Sequence, residues 1–173
     1  MNNLIPDIYA HNIFTINYDN LKNRGIKCLL FDLDNTIASN HMKKPTEEIK
    51  KLFQELDVKG FKIIIISNAY KSRVAAFKEE LNVDASYFSC KPFKIKYKKI
   101  LKLYKFKISE VATIGDQLLT DVKGGNKMGF TTILVEPLGP DPFIGTWVGR
   151  FFERFIFANL KKRGIYEKGK YYE

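Results

Sequence analysis

The stretch CLLFDLDNT at residues 28–36 joins a continuous apolar run to two carboxylates, which are one residue apart, and then to a hydroxyl. A strand of a parallel sheet that is buried on both faces has such a continuous apolar run. In open α/β sheets, ligands bind in the crevice beyond the carboxyl ends of the strands. The stretch therefore predicts a central strand that delivers Asp32 and Asp34 to a site, and the paired carboxylates are typical of phosphoryl transfer.

Apolar runs alternate with segments of helical spacing along the rest of the chain. The segment Pro45–Leu56 has an early proline, acidic residues in its first turn and apolar residues at helical intervals. Gly124-Gly125 is interpreted as a break. This alternation is typical of βαβ units, so we predict an α/β fold with three layers, Rossmann-like, around a central parallel sheet. The predicted strands are Lys27–Asp32, Phe61–Ser67, Val111–Gly115 and Phe130–Val135.

Length and composition favour a single domain over residues 1–173, because 173 residues of which 45% are hydrophobic can bury one core. No apolar run approaches the roughly 20 residues of a membrane-spanning helix. The N-terminus lacks a basic region followed by an apolar stretch and a cleavage site. We therefore expect a cytoplasmic protein, with peripheral binding to the inner membrane face left open.

The two cysteines, Cys28 and Cys90, form no CxxC pair. Their separation argues against a disulfide framework or a zinc site and fits a reducing compartment. We expect both in the core.

The net charge of +10 is unevenly distributed. Residues 91–107 contain eight lysines and no acidic residue, and residues 150–173 contain seven basic residues against three acidic ones. Two interpretations stay open at this point. The lysines form a solvated face, or they meet an anionic partner such as nucleic acid or an acidic membrane leaflet.

Polar residues follow the other predicted strands in the same way. Ser67-Asn68 comes after the second strand, Lys91-Pro92 precedes a helix, and Gly115-Asp116 with Asp121 follows the third strand. Each motif is weak alone, since such residues are common in turns and helix caps. Together, at strand ends and in this order, they predict that four loops converge on one crevice.

This order of motifs resembles the haloacid dehalogenase superfamily of phosphatases. The segments GIK before FDLDNT, then ISNA, KP, GDQLLTDVKGGNKMG and TILVEP look like its YqeG-type, subfamily IIIA branch. The most specific piece is Gly115–Gly129. The sequence departs modestly at Ala69, where the branch often has a second Asn, and at Cys90, where a small residue precedes the Lys. The related mitochondrial members are phosphatidylglycerophosphate phosphatases, so the resemblance implies hydrolysis of that lipid to phosphatidylglycerol.

The resemblance also implies catalytic and metal-binding roles. Asp32 would be the nucleophile that forms an aspartyl-phosphate. Asp34 would act as general acid and then as general base. Mg²⁺ would be bound by Asp32, the backbone carbonyl of Asp34 and Asp116, with Asp121 in a supporting position.

Three further residues would bind the substrate phosphate. On the family pattern, Ser67 would donate a hydrogen bond to a phosphoryl oxygen, with Asn68 beside it, and Lys91 would place a positive charge against the transferring group. For Asn35 and Thr36, turn and helix-start chemistry is at least as good an explanation as a direct role.

Spacing leaves no room for a large cap domain. Only 33 positions separate Asp34 from Ser67, and the 24 positions from Ser67 to Lys91 are filled by a helix and a short strand that we expect around Tyr87-Phe88. Enzymes of small metabolites often use closing lids. An uncapped site favours a phosphate displayed on something large: a lipid headgroup, a protein or a nucleic acid.

Residues 143–163 have the pattern of an amphipathic helix. Apolar residues recur at helical spacing and are followed by Lys161-Lys162-Arg163. Such a helix could lie on an acidic membrane, or its apolar stripe could pack on the sheet or on a second subunit. Glu153 and Arg154 argue against a spanning helix. The stripe consists of Phe143, Ile144, Trp147, Val148, Phe151, Phe152, Phe155, Ile156 and Leu160.

Two other functions stay open. One is a phosphatase of nucleotides or nucleic-acid ends, although nucleic acid is the less favoured partner. The other is a non-enzymatic basic module that binds RNA or ribosomes. A phospho-accepting receiver fits poorly, because the paired aspartates open the first predicted strand and the second acidic pair comes late.

Overall fold

Six parallel strands form one central sheet in the computed structural model, which describes residues 2–139 and 144–173, with side chains for 3–139 and 151–173. In chain order the strands are β1 (Ile8–Ala10), β2 (Cys28–Phe31), β3 (Lys62–Ile66), β4 (Asp84–Ser86), β5 (Val111–Gly115) and β6 (Thr131–Val135). Across the sheet their order is β1-β6-β5-β2-β3-β4, and every neighbouring pair is parallel. The predicted α/β fold with a central parallel sheet is confirmed.

Helices cover both faces of this sheet and give it three layers. The helices are α1 (Tyr18–Asn23), α2 (Glu47–Val58), α3 (Lys71–Leu81), α4 (Ile95–Tyr104), α5 (Lys123–Met128) and α6 (Ile144–Lys162). The buried side chains of α1, α2 and α3 pack on one face, and those of α4, α5 and α6 pack on the other.

The central strand β2 shows why its sequence is apolar without interruption. Leu29 and Phe31 point to the face covered by α2, where the ring of Phe31 lies 5.2 Å from that of Phe53. Cys28 and Leu30 point to the opposite face, under α4 and α5. All four strand residues are fully buried. Alternating side chains with a helix on both sides require apolar residues at every position.

The connections at the carboxyl end of the sheet are short. Between Asp34 and Ser67 the chain forms α2 and β3, and between Ser67 and Lys91 it forms α3 and β4, with no further helix or strand in either stretch. Both stretches lie wholly within the described residues. The expectation of a fold without a large cap is therefore confirmed.

Two strands differ from the sequence prediction. The edge strand β1 was not predicted, because three residues give no usable periodicity and the strand is defined by its pairing with β6. The short strand expected around Tyr87-Phe88 instead occupies Asp84–Ser86, where it pairs with β3. The apolar character of Tyr87-Phe88 belongs to an exposed turn that follows the strand.

Two predictions about small residues were wrong. Gly124-Gly125 does not break the chain but lies inside α5, where a Cβ atom on Gly125 would come within 2.3 Å of Thr113 Cγ2 on the sheet. The glycines therefore allow the helix to approach the strands closely. Cys28 is buried as expected, whereas Cys90 is exposed in the loop before Lys91.

The apolar stripe of α6 divides between two environments. Leu160 is buried against Tyr9, Leu118 and Leu134, while Phe152 and Phe155 are 55% and 62% exposed. The predicted stripe residue Phe143 lies outside the described residues, as do the side chains of Ile144, Trp147 and Val148. Among the described helices, none has the length and apolar character needed to cross a bilayer.

Candidate active site

Asp32 and Asp34 belong to the stretch CLLFDLDNT at residues 28–36, which we call the opening motif, and they lie directly beyond the central strand β2. The backbone N–H of Asp32 donates to Ile114 O at 2.8 Å and so extends the pairing of β2 with β5 by one residue. Asp32 is buried and Asp34 is half-buried. Asn35 then adopts a left-handed backbone with φ of 61°, and its N–H donates to Ala38 O at 2.8 Å. The tight turn holds both carboxylates at the carboxyl edge of the sheet.

Lys91 connects the loops of three strands. Its Nζ lies 2.6 Å from Asp32 Oδ1 and 2.6 Å from Asp121 Oδ1, and only 3% of its side chain is exposed. Burial opposes the charge on Lys91, but the attraction of Asp121 and Asp32 outweighs burial and holds the pKa of the ammonium group above its ordinary value. Lys91 therefore stays positively charged beside Asp32.

The surroundings of Asp32 have opposing effects on the pKa of its carboxyl group. Burial raises the pKa of this carboxyl group well above its ordinary value, although Lys91 acts to lower the pKa, and Asp121 acts to raise it further. A buried carboxylate is stabilised by a nearby cation, because the cation replaces part of the lost hydration. Positive charge beside Asp32 thus favours the ionised form that a nucleophile requires.

Three buried aspartates form a group suited to a metal ion. One carboxylate oxygen each from Asp32, Asp116 and Asp121 lies within 4.8 Å of the others. Thr36 Oγ1 donates to Asp116 Oδ1 at 3.3 Å, so this threonine orients an acidic residue of the site besides shaping the turn. Donors that are all oxygen, with carboxylates in the majority, are those that Mg²⁺ prefers. Asp121, which the sequence placed only in support, belongs to the same group.

The local structure around Asp121 is unusual. Residues Leu118–Val122 form a π-helical turn, in which the N–H of Val122 donates to Gln117 O at 3.2 Å, before α5 begins. Such turns occur often at functional sites. A Cβ atom on Gly115 would lie 2.2 Å from Asp121 Cγ, so the glycine leaves the space that this carboxyl group occupies.

Ser67 and Asn68 follow β3 and are linked to the Lys91 loop. Ser67 is buried, and its Oγ accepts from the N–H of Ala69 at 3.0 Å. Asn68 Oδ1 accepts from the N–H of Lys91 at 2.8 Å, and Asn68 Nδ2 donates to Lys91 O at 3.3 Å. The Asn68 side chain therefore fixes the backbone of Lys91, and its predicted contact with phosphate stays a prediction.

Arg73 is a site residue that the sequence did not reveal. Its Nε donates to Asp34 Oδ1 at 3.0 Å, and its other nitrogens donate to the carbonyl oxygens of Ser39 and Met42. The guanidinium group also lies over the ring of Phe77, 4.8 Å from its centroid. Arg73 stands in the first turn of α3 among ordinary polar residues, so no local pattern distinguished it.

Solved structures show the same fold. The 3-deoxy-D-manno-octulosonate 8-phosphate phosphatase of Moraxella catarrhalis, solved with a magnesium ion, a phosphate ion and KDO, superposes with a TM-score of 0.51 at 18% identity, over 68% of this chain and 73% of that one. The parallel sheet of this chain thus shares the fold of that phosphatase.

The sequence comparisons are more specific. The model of the family described as "Mitochondrial PGP phosphatase" matches residues 1–139, and the chain belongs to this family. The probable phosphatase YqeG of Bacillus subtilis (strain 168) is 36% identical, over 92% of this chain and 93% of its own length.

A second relative is larger. Phosphatidylglycerophosphate phosphatase 1, chloroplastic/mitochondrial, of Arabidopsis thaliana is 26% identical, over 94% of this chain. The chain spans about half of that relative, 49% of its length. These relatives are phosphatases, and the prediction of a phosphoric monoester hydrolase is confirmed.

Proposed function

We propose that the protein removes the terminal phosphate of phosphatidylglycerophosphate in a Mg²⁺-dependent reaction that passes through an aspartyl-phosphate. The observation that carries the proposal is the position of Lys91, 2.6 Å from both Asp32 and Asp121 in a buried acidic group at the carboxyl edge of the sheet. Membership of the PGP phosphatase family and the activity named for the Arabidopsis relative support this substrate.

The first step transfers the phosphoryl group to the enzyme. An Asp32 carboxylate oxygen forms a bond to phosphorus while the bond from phosphorus to the lipid oxygen breaks, and Asp34 gives its proton to that leaving oxygen. Lys91 offsets the repulsion between the carboxylate and the anionic phosphate. Ser67 donates a hydrogen bond to a phosphoryl oxygen. The products are phosphatidylglycerol and an aspartyl-phosphate.

The second step restores the enzyme. Asp34, now ionised, takes a proton from water, and the water oxygen bonds to phosphorus while the bond to Asp32 breaks. Inorganic phosphate leaves. Asp32, the Asp34 backbone carbonyl and Asp116, with Asp121 beside them, would hold Mg²⁺, which would supply positive charge to the phosphoryl oxygens.

The partner in this proposal is an anionic phospholipid headgroup, presented at an acidic membrane on which the protein binds peripherally. An active site without a large cap supports a substrate whose phosphate projects from a surface. The net charge of +10 supports attraction to such a surface.

Phosphate release from phosphatidylglycerophosphate in mixed micelles tests the proposal. We expect turnover that depends on added Mg²⁺ and is lost in Asp32→Asn and in Lys91→Met, while Lys99→Met, a substitution of an exposed lysine on α4, retains it. A panel of soluble nucleotides is measured in parallel. Turnover confined to nucleotides would exclude the lipid substrate but keep the reaction. Absence of turnover on both substrates, with RNA binding retained in Asp32→Asn, would favour the binding module.

A further inference from the structure

Four exposed aromatic side chains lie on the loops that follow β3 and β4, close in the chain to Ser67 and Lys91. Tyr70, Phe88 and Phe93 are 67%, 47% and 65% exposed, and Tyr87 is 38% exposed. We call these four residues the aromatic rim. Single exposed apolar residues are common, but contiguous ones mark interaction sites. The rings of Tyr70 and Phe88 contact edge to face with centroids 5.1 Å apart, and those of Tyr87 and Phe88 are 6.0 Å apart.

The rim is fixed to the residues that we expect to hold phosphate. The N–H of Phe88 donates to Ala69 O at 3.1 Å, and the N–H of Ser89 donates to Ser67 O at 3.0 Å. Tyr70 lies three residues after Ser67 in the chain, and Phe93 lies two residues after Lys91. The rim therefore lies at the same edge of the sheet as the acidic group. A substrate phosphate bound at Ser67 and Lys91 would therefore lie at the edge of the sheet that carries these aromatic side chains.

A further exposed apolar residue, Leu138, lies next to the opening motif. Leu138 follows β6 and is 47% exposed, and its N–H donates to Asn35 O at 3.1 Å. Exposed apolar side chains therefore lie on the loops after β3 and β4 and also on the loop after β6.

Positive charge accompanies the rim. Lys71 and Lys94 are exposed, and each directly follows a rim residue. Lys71 Nζ lies 5.9 Å from the ring centroid of Tyr87. Aromatic rings beside lysines are typical of surfaces that enter the boundary between lipid headgroups and acyl chains, where the rings are buried and the lysines meet lipid phosphates.

We propose that the aromatic rim, with Lys71 and Lys94, docks on an anionic lipid bilayer and directs the active-site opening toward the membrane. The inference rests on the proposed lipid substrate and adds the surface through which that substrate is reached. It differs from docking through α6, where exposed Phe152 and Phe155 each contact Phe151. A lipid whose chains stay in the bilayer then needs only its headgroup to enter the site.

Vesicle sedimentation tests the docking surface without any turnover. The full chain is mixed with vesicles of phosphatidylcholine alone or with phosphatidylglycerol added, and no phosphatidylglycerophosphate is present. We expect binding to the anionic vesicles, weakened about tenfold or more in Tyr70→Ser/Phe93→Ser, because two side chains no longer insert. Serine at position 70 is a favourable helix N-cap for α3, so this variant should fold.

Matched variants separate the rim from general surface effects. Val58→Ser/Leu103→Ser removes two other exposed apolar side chains, 87% and 66% exposed, and should bind vesicles as the unchanged protein does. Lys71→Ala/Lys94→Ala should reduce the preference for anionic over neutral vesicles. Lys51→Ala/Lys127→Ala, which removes two exposed lysines from α2 and α5, should leave that preference unchanged.

Hydrolysis of p-nitrophenyl phosphate by each variant is the separate readout of the catalytic site. Weakened vesicle binding of the rim variant with this hydrolysis retained supports the proposal. Vesicle binding that is unaffected by the rim variant, or that is lost instead in Phe152→Ser/Phe155→Ser, overturns it and leaves the proposed function standing. RNA binding that depends on the rim, without vesicle binding, overturns it in favour of a nucleic acid. Rim-dependent docking by a protein that hydrolyses no phosphomonoester supports the docking and refutes the proposed function.

Discussion

At the scale of single residues, the site depends on charges that are buried and paired. Lys91 lies between Asp32 and Asp121, and Arg73 donates to Asp34, so each aspartate of the opening motif has its own cationic partner. The two pairs differ in surroundings, because Lys91 is almost fully buried whereas Arg73 and Asp34 are half-buried. This difference fits the separate tasks that we propose: nucleophile for Asp32, proton transfer for Asp34.

Arg73→Gln should impair proton transfer more than phosphoryl transfer. Without the guanidinium group, Asp34 loses the contact at 3.0 Å that orients its carboxyl group. The backbone carbonyl oxygens of Ser39 and Met42 also lose the hydrogen bonds that Arg73 donates. An alkyl phosphate needs a proton on its leaving oxygen, whereas p-nitrophenolate leaves without one. We expect kcat/KM for alkyl phosphates to fall about tenfold or more, up to the roughly 10²–10⁴-fold that general acid catalysis contributes, and to fall less for p-nitrophenyl phosphate.

Arg73→Lys is the companion variant for this experiment. It keeps the charge but not the fork of donors that reaches two carbonyl groups and a carboxylate, so it should restore activity only in part. Equal losses on both kinds of ester would contradict a role in orienting the general acid.

Gly115→Ala should weaken the metal site through Asp121. The added Cβ would lie 2.2 Å from Asp121 Cγ, a distance that forces the carboxyl group away from Asp32 and Asp116. We expect a higher Mg²⁺ concentration for half-maximal activity, together with a lower kcat. Gly139→Ala, after β6, is the control, because among the described residues its Cβ would meet only Asn35 Oδ1, at 3.9 Å. An unchanged Mg²⁺ dependence in Gly115→Ala would exclude Asp121 from the metal site.

At the scale of elements, α6 stabilises the π-helical turn that carries Asp121. Glu153 is buried, and its Oε1 accepts from the N–H of Leu119 at 2.9 Å, within the π-helical turn that carries Asp121. Further along the helix, Leu160 packs with Leu118 of the same turn. The acidic residue that argued against a spanning helix thus has a structural role in fixing the turn.

Leu160→Ala should destabilise the protein, whereas Phe155→Ala should not. Leu160 is 3% exposed and its truncation leaves a cavity, at a cost of roughly 2–5 kcal/mol. Phe155 is 62% exposed, so its replacement should change the free energy of unfolding by about 0.5 kcal/mol or less. Urea unfolding followed by far-UV circular dichroism measures both. Similar, small effects of the two substitutions would show that α6 is not packed on the domain in solution.

At the scale of the whole molecule, the positive net charge and the absence of a large cap domain from the described residues both favour a substrate that is presented on an anionic surface. The net charge of +10 attracts an anionic surface, and the crossovers from Asp34 to Ser67 and from Ser67 to Lys91 add no cap domain at the carboxyl edge of the sheet, where the acidic group lies. The rim and Leu138 place apolar side chains at that same edge.

Turnover on anionic micelles should therefore fall steeply with salt. Screening shortens the reach of surface charge to about 10 Å at 0.1 M salt, which weakens attraction of the protein to the micelle. We expect the rate on phosphatidylglycerophosphate in phosphatidylglycerol micelles to fall about tenfold or more from low to high salt. The rate on p-nitrophenyl phosphate should change much less. Parallel salt curves for the two substrates would indicate an effect on the active site itself.

The sequence by itself determined the fold class, the four longer strands, the aspartates and the serine that follow them, and the lysine that precedes a predicted helix. Local patterns carry that information, because a buried parallel strand needs a continuous apolar run and the polar residues follow directly in the chain. Only the tertiary structure decided that β1 is a strand, because its three residues form a strand only through their pairing with β6. Only the tertiary structure revealed that Arg73 contacts Asp34, because 39 positions separate the two residues and their meeting depends on how α3 packs beside the opening loop.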